Sequence, residues 1–209
     1  MKLLLLGAPG SGKGTLSEYL ISKHNFAHVS TGNIFRKVID ENLEYADELK
    51  SYILKGLLVP NDLTNKIVKQ ELGELTKKYT NIVMDGYPRT IEQAEFLKNI
   101  FTIDKVIYLN VDSDLLVKRL TGRRMCNKCK KIYNIYFSPP KKDGVCDNDG
   151  ELLFQRKDDD LSIIQERIQT YNQTTFLLID YYKDKGNLIE VDGALSAEEL
   201  HEKINSILR

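Results

Sequence analysis

The stretch that decides the fold is Leu3-Leu4-Leu5-Leu6-Gly7-Ala8-Pro9-Gly10-Ser11-Gly12-Lys13-Gly14-Thr15, close to the start of the 209-residue chain. A short apolar run that ends in a glycine-rich loop predicts a buried strand, and a helix is predicted to begin at Lys13. A strand, a G-x-x-x-x-G-K loop and a helix in this order form the context of a phosphate-binding loop. The alternative is a glycine-rich turn without a ligand, which would leave Lys13 without a role.

The loop residues are the first predicted ATP site. Glycines allow successive backbone N–H groups to point at phosphates, and the helix N-terminus adds its dipole. Lys13 supplies a point charge for the β- and γ-phosphates. Because Gly14 occupies the position where Ser or Thr is usual, we expect Thr15 to provide the hydroxyl on the Mg²⁺ side. The residues predicted to hold the ATP phosphates are Gly10, Ser11, Gly12, Lys13, Gly14 and Thr15.

Beyond the loop, short apolar runs alternate with longer amphipathic stretches. Nearly continuous apolar strands separated by helices predict an α/β fold with a five-stranded parallel sheet and helices on both faces. The predicted strands cover residues 2–6, 27–30, 81–84, 106–111 and 188–191. The predicted helices cover residues 13–24, 32–41, 44–55, 62–78, 91–100, 113–121, 161–183 and 197–208. Two capping boxes are predicted, at Thr90 with Gln93 and at Ser196 with Glu199.

Composition and charge argue against several classes of protein. Thirty basic residues balance thirty acidic ones, so no bulk positive field favours nucleic acid as a partner. The apolar run at residues 3–6 is too short for a signal peptide, and no stretch approaches the roughly 18 apolar residues of a membrane span. We therefore expect a cytoplasmic protein that binds neither nucleic acid nor membrane. The chain also lacks an N-K-x-D guanine signature, which argues against a GTPase.

The three cysteines lie in residues 122–159, where the helical period disappears and an inserted minidomain is predicted. Two x-x-spaced pairs of ligand residues, sixteen residues apart, match a zinc ribbon in which one carboxylate replaces a thiolate. Thiolates favour Zn²⁺, with iron as the alternative occupant, and four protein ligands predict a structural metal. Asp147 is a competing carboxylate, and three free buried cysteines are the alternative to a metal site. The predicted ligands are Cys126, Cys129, Cys146 and Asp149.

Several further motifs follow the loop nearly to the end of the chain. They are Ser30-Thr31-Gly32 with Arg36, Asp85-Gly86-Tyr87-Pro88-Arg89-Thr90 with Gln93, Arg119, Gly122-Arg123-Arg124, Arg156-Lys157-Asp158-Asp159 and Arg167. In their order and spacing these motifs resemble those of adenylate kinases with a long, zinc-bearing lid. The resemblance implies reversible phosphoryl transfer from MgATP to AMP, giving two ADP, by a direct in-line step in a monomeric enzyme.

Arginines are the main catalytic residues that the resemblance implies. Their planar, permanently charged forks suit the equatorial oxygens of a transferring phosphoryl group. A single arginine is more often a solvated surface residue, but six of them occupy family positions. Around the transferring group the resemblance places Arg123, Arg156 and Arg167, with Lys13 and Arg89 as further catalytic residues, and against the AMP phosphate it places Arg36 and Arg89. Arg156 and Arg167 also belong to the implied AMP-binding residues. It also implies that Arg119 stacks on the ATP adenine.

The remaining implied contacts concern the two bases and the magnesium ion. Gln93 has an amide that can read an adenine edge, although it could equally serve as the capping partner of Thr90. Asp85 can orient Mg²⁺-bound water, or else cap the loop that follows it. The other AMP residues implied by the resemblance are Thr31, Leu57, Leu58, Val59, Gly86, Tyr87 and Pro88. The other ATP residues are Ile132, Tyr133 and Leu195.

The resemblance also implies a division of the chain and two departures. The core comprises residues 1–29, 60–121 and 160–209, the AMP-binding helical arm residues 30–59, and the lid residues 122–159. Asn33 replaces a common Asp and Tyr87 a frequent Phe, and we expect at most a small change in AMP affinity. Two rival hypotheses are a kinase acting on UMP or CMP and a zinc-ribbon binding module that uses nucleotide only as a switch. Gln93 and the long lid argue against the first, and the balanced charge against the second.

Overall fold

The computed structural model describes residues 1–209, which form eight strands and nine α-helices. The strands are β1 (Lys2–Leu6), β2 (Ala27–Ser30), β3 (Ile82–Asp85), β4 (Lys105–Asn110), β5 (Arg123–Cys126), β6 (Ile132–Asn134), β7 (Leu153–Phe154) and β8 (Leu188–Asp192). The helices are α1 (Lys13–His24), α2 (Thr31–Asp40), α3 (Ala46–Ile53), α4 (Asn61–Leu75), α5 (Ile91–Ile100), α6 (Ser113–Thr121), α7 (Leu161–Thr170), α8 (Leu177–Asp184) and α9 (Ala197–Leu208).

Five strands pair in parallel in the order β2–β3–β1–β4–β8. In this register Leu5 of β1 lies opposite both Asp85 of β3 and Ile107 of β4. The carboxyl ends of β1 and β3 therefore meet at one edge of the sheet, where an α/β fold places its ligands. The predicted α/β fold with a five-stranded parallel sheet is confirmed, and the predicted bounds of β3, β4 and β8 differ from the structure by one residue.

The leucines of β1 alternate between the two faces of the sheet. Leu4 and Leu6 belong to a cluster of 16 buried residues that α4, α5 and α8 complete. Leu3 and Leu5 belong to a cluster of 11 buried residues that α1 and α9 complete. Because both faces are covered, β1 needs apolar residues at every position. This is the physical reason for the continuous leucine run in the sequence.

Helices α2 and α3 form a small unit beside the sheet. The unit has its own buried cluster of Phe35, Leu49 and Val59, separate from the two clusters of the sheet. Helix α2 begins at a cap in which the Ser30 hydroxyl accepts a hydrogen bond from the Asn33 N–H. The chain returns to the main core at α4.

A second, antiparallel sheet of three strands, in the order β6–β5–β7, forms within residues 122–159. Its buried cluster has only three members, Cys126, Tyr133 and Cys146. We call residues 122–159 the lid from here on. The sequence showed only an irregular insertion here, because strands of two to four residues are too short for a period to appear.

The structure interrupts the single helix that was predicted for residues 161–183. Helix α7 ends at Thr170, a π-helical turn spans Tyr171–Thr175, and α8 begins at Leu177. In the turn, the Phe176 N–H donates to the Tyr171 carbonyl, five residues back. One extra residue in a turn hardly changes the apolar period, so the sequence does not reveal the break. The interruption lets the Thr175 hydroxyl donate to the Arg89 carbonyl (3.0 Å).

None of the helices combines the length and the apolar character that crossing a membrane requires.

Candidate active site

The loop between β1 and α1 is held open by glycine. A Cβ on Gly7, whose φ is +145°, would lie 2.5 Å from the Ser11 hydroxyl and 2.8 Å from the Leu109 carbonyl oxygen. No other residue fits there without moving backbone. The Ser11 N–H donates to the Ala8 carbonyl and closes the loop (3.1 Å). The N-terminus of α1 is thereby presented at the carboxyl edge of the sheet as an anion-binding position.

Lys13 lies at the start of α1 with its ammonium group turned back over the loop. The ammonium donates to the carbonyls of Gly7 (2.7 Å) and Ala8 (2.9 Å). Burial lowers the pKa of Lys13 to about 8, and the Asp85 carboxylate opposes this shift only in part. A desolvated cation gains more from a phosphate than a hydrated one does, because its hydration is already lost. The arrangement therefore suits Lys13 to bind a phosphate group.

The predicted arginines come from separate elements and gather around two buried carboxylates. Arg123 of β5 donates to Asp159 through Nε (2.7 Å) and Nη2 (2.5 Å), a bidentate pair. Arg167 of α7 lies 3.1 Å from Asp158 and 3.2 Å from Asp159, and Arg36 of α2 lies 4.0 Å from Asp158. Asp159 is 1% exposed, so its charge is balanced by arginines alone. The two aspartates hold the guanidinium groups of these arginines in fixed positions.

The cluster contains more positive than negative charge, and its arginine side chains are poorly hydrated. Burial, together with repulsion from neighbouring arginines, lowers the pKa of Arg89 to about 10 and that of Arg156 to about 9. Burial also disfavours ionisation of Asp158, but Arg167 and Arg36 outweigh it and lower the pKa of that carboxyl group. Arginines that repel one another before a ligand arrives are stabilised by an anion. The cluster is therefore built for a polyanion.

A cavity opens beside this cluster, between α2, the loop before α4 and the loop after β3. Nine of the twelve residues predicted for AMP line it: Thr31, Arg36, Leu57, Leu58, Val59, Gly86, Arg89, Gln93 and Arg167. The sequence did not predict six other lining residues, which are Gly32, Phe35, Ile53, Gly56, Thr64 and Asp158. Most of these six are apolar or glycine and carry no recognisable chemical signal. Their place depends on how α2 and α3 fold back.

Three residues predicted for AMP lie outside the cavity lining. Tyr87 is 1% exposed in the sheet core, where its hydroxyl donates to Asn65 Oδ1 (2.6 Å). Pro88 follows Tyr87 and also lies outside the lining. Arg156 points its Nε at the Met125 sulfur (2.6 Å), on the lid side of the cluster. The Tyr87 hydroxyl thus has a structural partner that a Phe could not use.

Thr31 and Gly86, which both line the cavity, approach each other closely. The Thr31 hydroxyl donates to the Gly86 carbonyl (2.7 Å), and a Cβ on Gly86 would lie 2.8 Å from that hydroxyl. Gly86 has a φ of +79°, so glycine is required here on both grounds. The contact ties α2 to the loop after β3 where both line the cavity.

Gln93 is buried and lines the cavity. Only one of the two hydrogen bonds of the predicted capping box forms. The Gln93 N–H donates to the Thr90 hydroxyl (3.2 Å), as predicted. The side chain does not return to the Thr90 N–H; its Oε1 accepts from the Arg89 N–H (2.8 Å) and its Nε2 donates to Asn61 Oδ1 (2.8 Å). The complete capping box at Ser196 and Glu199 is confirmed. Asn61, 32 residues before Gln93, gave no signal in the sequence.

The residues predicted for the ATP base lie in three different surroundings. Arg119 of α6 places Nη1 3.5 Å from the Ser11 carbonyl, beside the phosphate loop. Ile132 faces the same loop, since a Cβ on Gly14 would lie 3.5 Å from its Cδ1. Leu195 packs against the second sheet cluster. Tyr133 lies apart from them, buried in the lid with its hydroxyl 3.4 Å from Cys146 Sγ.

The four predicted metal ligands lie together in the lid. All their ligand atoms are within 4.8 Å of one another. Cys129 Sγ is 3.5 Å from Cys146 Sγ, and Cys126 Sγ is 3.4 Å from both Asp149 oxygens. Asp147, the competing carboxylate, instead accepts a hydrogen bond from the Lys141 N–H (2.9 Å). Three sulfurs and one oxygen around one small space form a closed set that fits zinc.

Comparisons with known proteins agree with this geometry. The family model for adenylate kinase matches residues 5–187. An adenylate kinase of Malacoplasma penetrans is 51% identical over 207 residues, which is 99% of this chain and 95% of that protein. An adenylate kinase of Ureaplasma urealyticum is 43% identical over 210 residues, covering 100% of this chain and 99% of the relative. One of Listeria innocua is 41% identical over 213 residues, with 100% and 99% coverage.

Proposed function

Because this chain belongs to the adenylate kinase family, we propose that Lys13 and the arginine cluster carry out its reaction, the reversible transfer of a phosphoryl group between ATP and AMP. The observation that carries the proposal is that the phosphate loop and the cavity share the same cations. Arg89 and Arg167 line the cavity and are also electrostatic neighbours of Lys13. Two phosphate chains bound at these two places would meet between them.

The transfer proceeds in one step between the two nucleotides. An oxygen of the AMP phosphate forms a bond to the γ-phosphorus of ATP, while the bond from that phosphorus to the β,γ-bridging oxygen breaks and leaves ADP. Lys13 holds the β- and γ-phosphates, and Arg36 and Arg89 hold the AMP phosphate. Arg123, Arg156 and Arg167 neutralise the charge that spreads over the equatorial oxygens. No covalent enzyme intermediate is needed.

Magnesium enters with ATP, and oxygen donors are present where it would arrive. Asp85 ends β3 next to the loop, and Thr15 exposes its hydroxyl on the first turn of α1. Carboxylate, hydroxyl and water oxygens suit Mg²⁺, which usually keeps several of its waters. Bound with ATP, the ion would supply neutralisation of phosphate charge. We propose that Asp85 orients its bound water.

The lid brings its own arginines and excludes water. Arg123 lies in its first strand and Arg156 near its end, so both move with residues 122–159 as a unit. We propose that the lid closes over ATP and that residues 30–59 close over AMP, while residues 1–29, 60–121 and 160–209 stay as the core. A closed site keeps water from competing with AMP for the γ-phosphoryl group.

We propose that Zn²⁺ occupies the cysteine cluster and has a structural role. The donor set of three sulfurs and one carboxylate has no place left for substrate. The buried apolar cluster of the lid has three members, too few to hold its shape without a crosslink.

We propose further that the enzyme acts as a cytoplasmic monomer. All the cations of the site come from one chain, so no second copy is needed to complete it. Three clustered thiols as metal ligands suit a reducing compartment. Light scattering at assay concentration tests the monomer, which a dimer mass would exclude.

A coupled assay for ADP formation from ATP and AMP tests the proposed function. We expect MgATP and AMP together to give two ADP, with neither nucleotide alone giving product. Replacing AMP with CMP, UMP or GMP tests the choice of acceptor. A higher kcat/KM for UMP or CMP than for AMP would make the chain a different monophosphate kinase within the same fold.

A further inference from the structure

The side-chain amide of Gln93 uses half of its hydrogen-bonding capacity within the protein. A carboxamide offers two lone pairs on oxygen and two hydrogens on nitrogen. Oε1 accepts from the Arg89 N–H, and Nε2 donates to Asn61 Oδ1, both at 2.8 Å. One lone pair and one hydrogen remain without a partner in the chain. Gln93 also lines the cavity, where a base edge can reach the remaining pair.

The orientation of this amide is decided by chemistry at both of its ends. A backbone N–H can only donate, so it must face Oε1 of Gln93. Asn61 could in principle turn either end of its own amide toward Gln93. Its Nδ2, however, donates to Glu92 Oε2 (2.6 Å), and a carboxylate can only accept. Glu92 therefore directs Asn61 Oδ1 toward Gln93, and Gln93 cannot rotate by 180° without breaking both contacts.

The fixed amide distinguishes purines by the order of donor and acceptor. Adenine presents the N6 amino donor beside the N1 acceptor. Guanine presents the O6 acceptor beside the N1–H donor, which is the reverse order. A freely rotating glutamine could satisfy either edge. A glutamine held by Arg89 and Asn61 satisfies only adenine, because the rotated amide would place two donors against each other at one end and two acceptors at the other.

We propose that Asn61, oriented by Glu92, is a positioning residue that makes Gln93 selective for adenine over guanine. This inference rests on the proposed function, in which Gln93 contacts the base of the acceptor nucleotide. Asn61 acts through Gln93 and touches no reacting atom. Its removal should therefore change the choice between acceptors more than the rate of transfer.

The test compares AMP and GMP as acceptors at saturating MgATP for the wild type, Asn61→Leu and Asn61→Asp. In Asn61→Leu the acceptor for Nε2 is lost, so only the Arg89 N–H still opposes rotation of the amide and the rotated form becomes less costly. We expect the ratio of kcat/KM for AMP to that for GMP to fall at least about tenfold, a change of 1.4 kcal/mol. The kcat at saturating AMP and the KM for ATP should stay near the wild-type values.

Asn61→Asp is the matched variant. Its carboxylate still accepts from Nε2, and Glu92 is exposed and can turn into solvent. We expect the preference for AMP to be kept, whereas a purely structural role for Asn61 would make both variants alike. Thermal unfolding of each variant separates a folding defect from a change in selectivity.

Gln93→Leu distinguishes failure of this inference from failure of the proposed function. If Gln93→Leu removes the preference for AMP but Asn61→Leu keeps it, the positioning role of Asn61 is wrong and the proposed function stands. If Gln93→Leu also leaves the AMP-to-GMP ratio unchanged, Gln93 does not contact the base and both assignments fall.

Discussion

In the proposed reaction the phosphate loop and the lid both bring positive charge to the same phosphates, but the two regions are held in place by different means. The loop extends from a strand whose leucines belong to clusters of 16 and 11 buried residues. The lid has a cluster of three, two of which are cysteines. A large apolar core holds the loop rigid, whereas the proposed zinc crosslink would hold the lid. Under the proposed closure, this difference would let the lid move as one body while the loop stays fixed.

The largest loss of activity is expected from a substitution at the phosphate loop, the rigid one of the two regions. Lys13→Met removes a buried cation that the loop carbonyls already orient. We expect kcat to fall by about 10²–10³ while the fold is retained, because a preorganised charge is lost in the transition state. Lys23→Met, on the exposed surface of the same helix, is the control and should match the wild type. Activity of Lys13→Met within about threefold of the wild type would remove Lys13 from the mechanism.

The pH dependence of kcat/KM for ATP tests the role of Lys13 through a smaller change in activity. Burial lowers the pKa of Lys13 to about 8, and the protonated ammonium is the form that binds phosphate. The kcat/KM for ATP reports groups of the free enzyme. It should therefore be level below about pH 8 and fall roughly tenfold per pH unit above it. In Lys13→Arg the guanidinium stays charged, so this inflection should disappear; an inflection that persists belongs to another group.

The smallest effect on activity should come from removing the crosslink of the lid. Chelation, or Cys146→Ser, should produce a separate unfolding transition below the main one, while the sheet core keeps its stability and part of the activity survives. Leu97→Ala, in contrast, changes the sheet core and leaves the lid intact. It opens a cavity, should lower the free energy of unfolding by about 2–5 kcal/mol and should lower the temperature of the main transition. Calorimetry with metal analysis measures both. A metal-free protein of unchanged stability would contradict the structural role of zinc.

The sequence predicted those parts of the molecule in which neighbours in the chain are also neighbours in space. The leucine run of β1, the glycine loop and Lys13 form one continuous segment, and the members of each x-x-spaced ligand pair are close neighbours in the chain. The positions of the sheet strands and of most helices followed from the period of apolar residues, whereas the strand order did not. The π-helical turn at Tyr171–Thr175 and the short strands of the lid did not, because neither changes that period enough to be seen.

The sequence alone was enough to predict the α/β class, the phosphate loop, the cluster of three cysteines and one aspartate and, through the order of its motifs, the family. The tertiary structure alone decided which side chains share a site. Asn61 meets Gln93 across 32 residues, Arg123 meets Asp159 across 36, and Tyr87 turns into the core and away from the cavity. Such contacts depend on how strands and helices pack, and hydrogen bonds between distant residues leave no periodic trace in the chain.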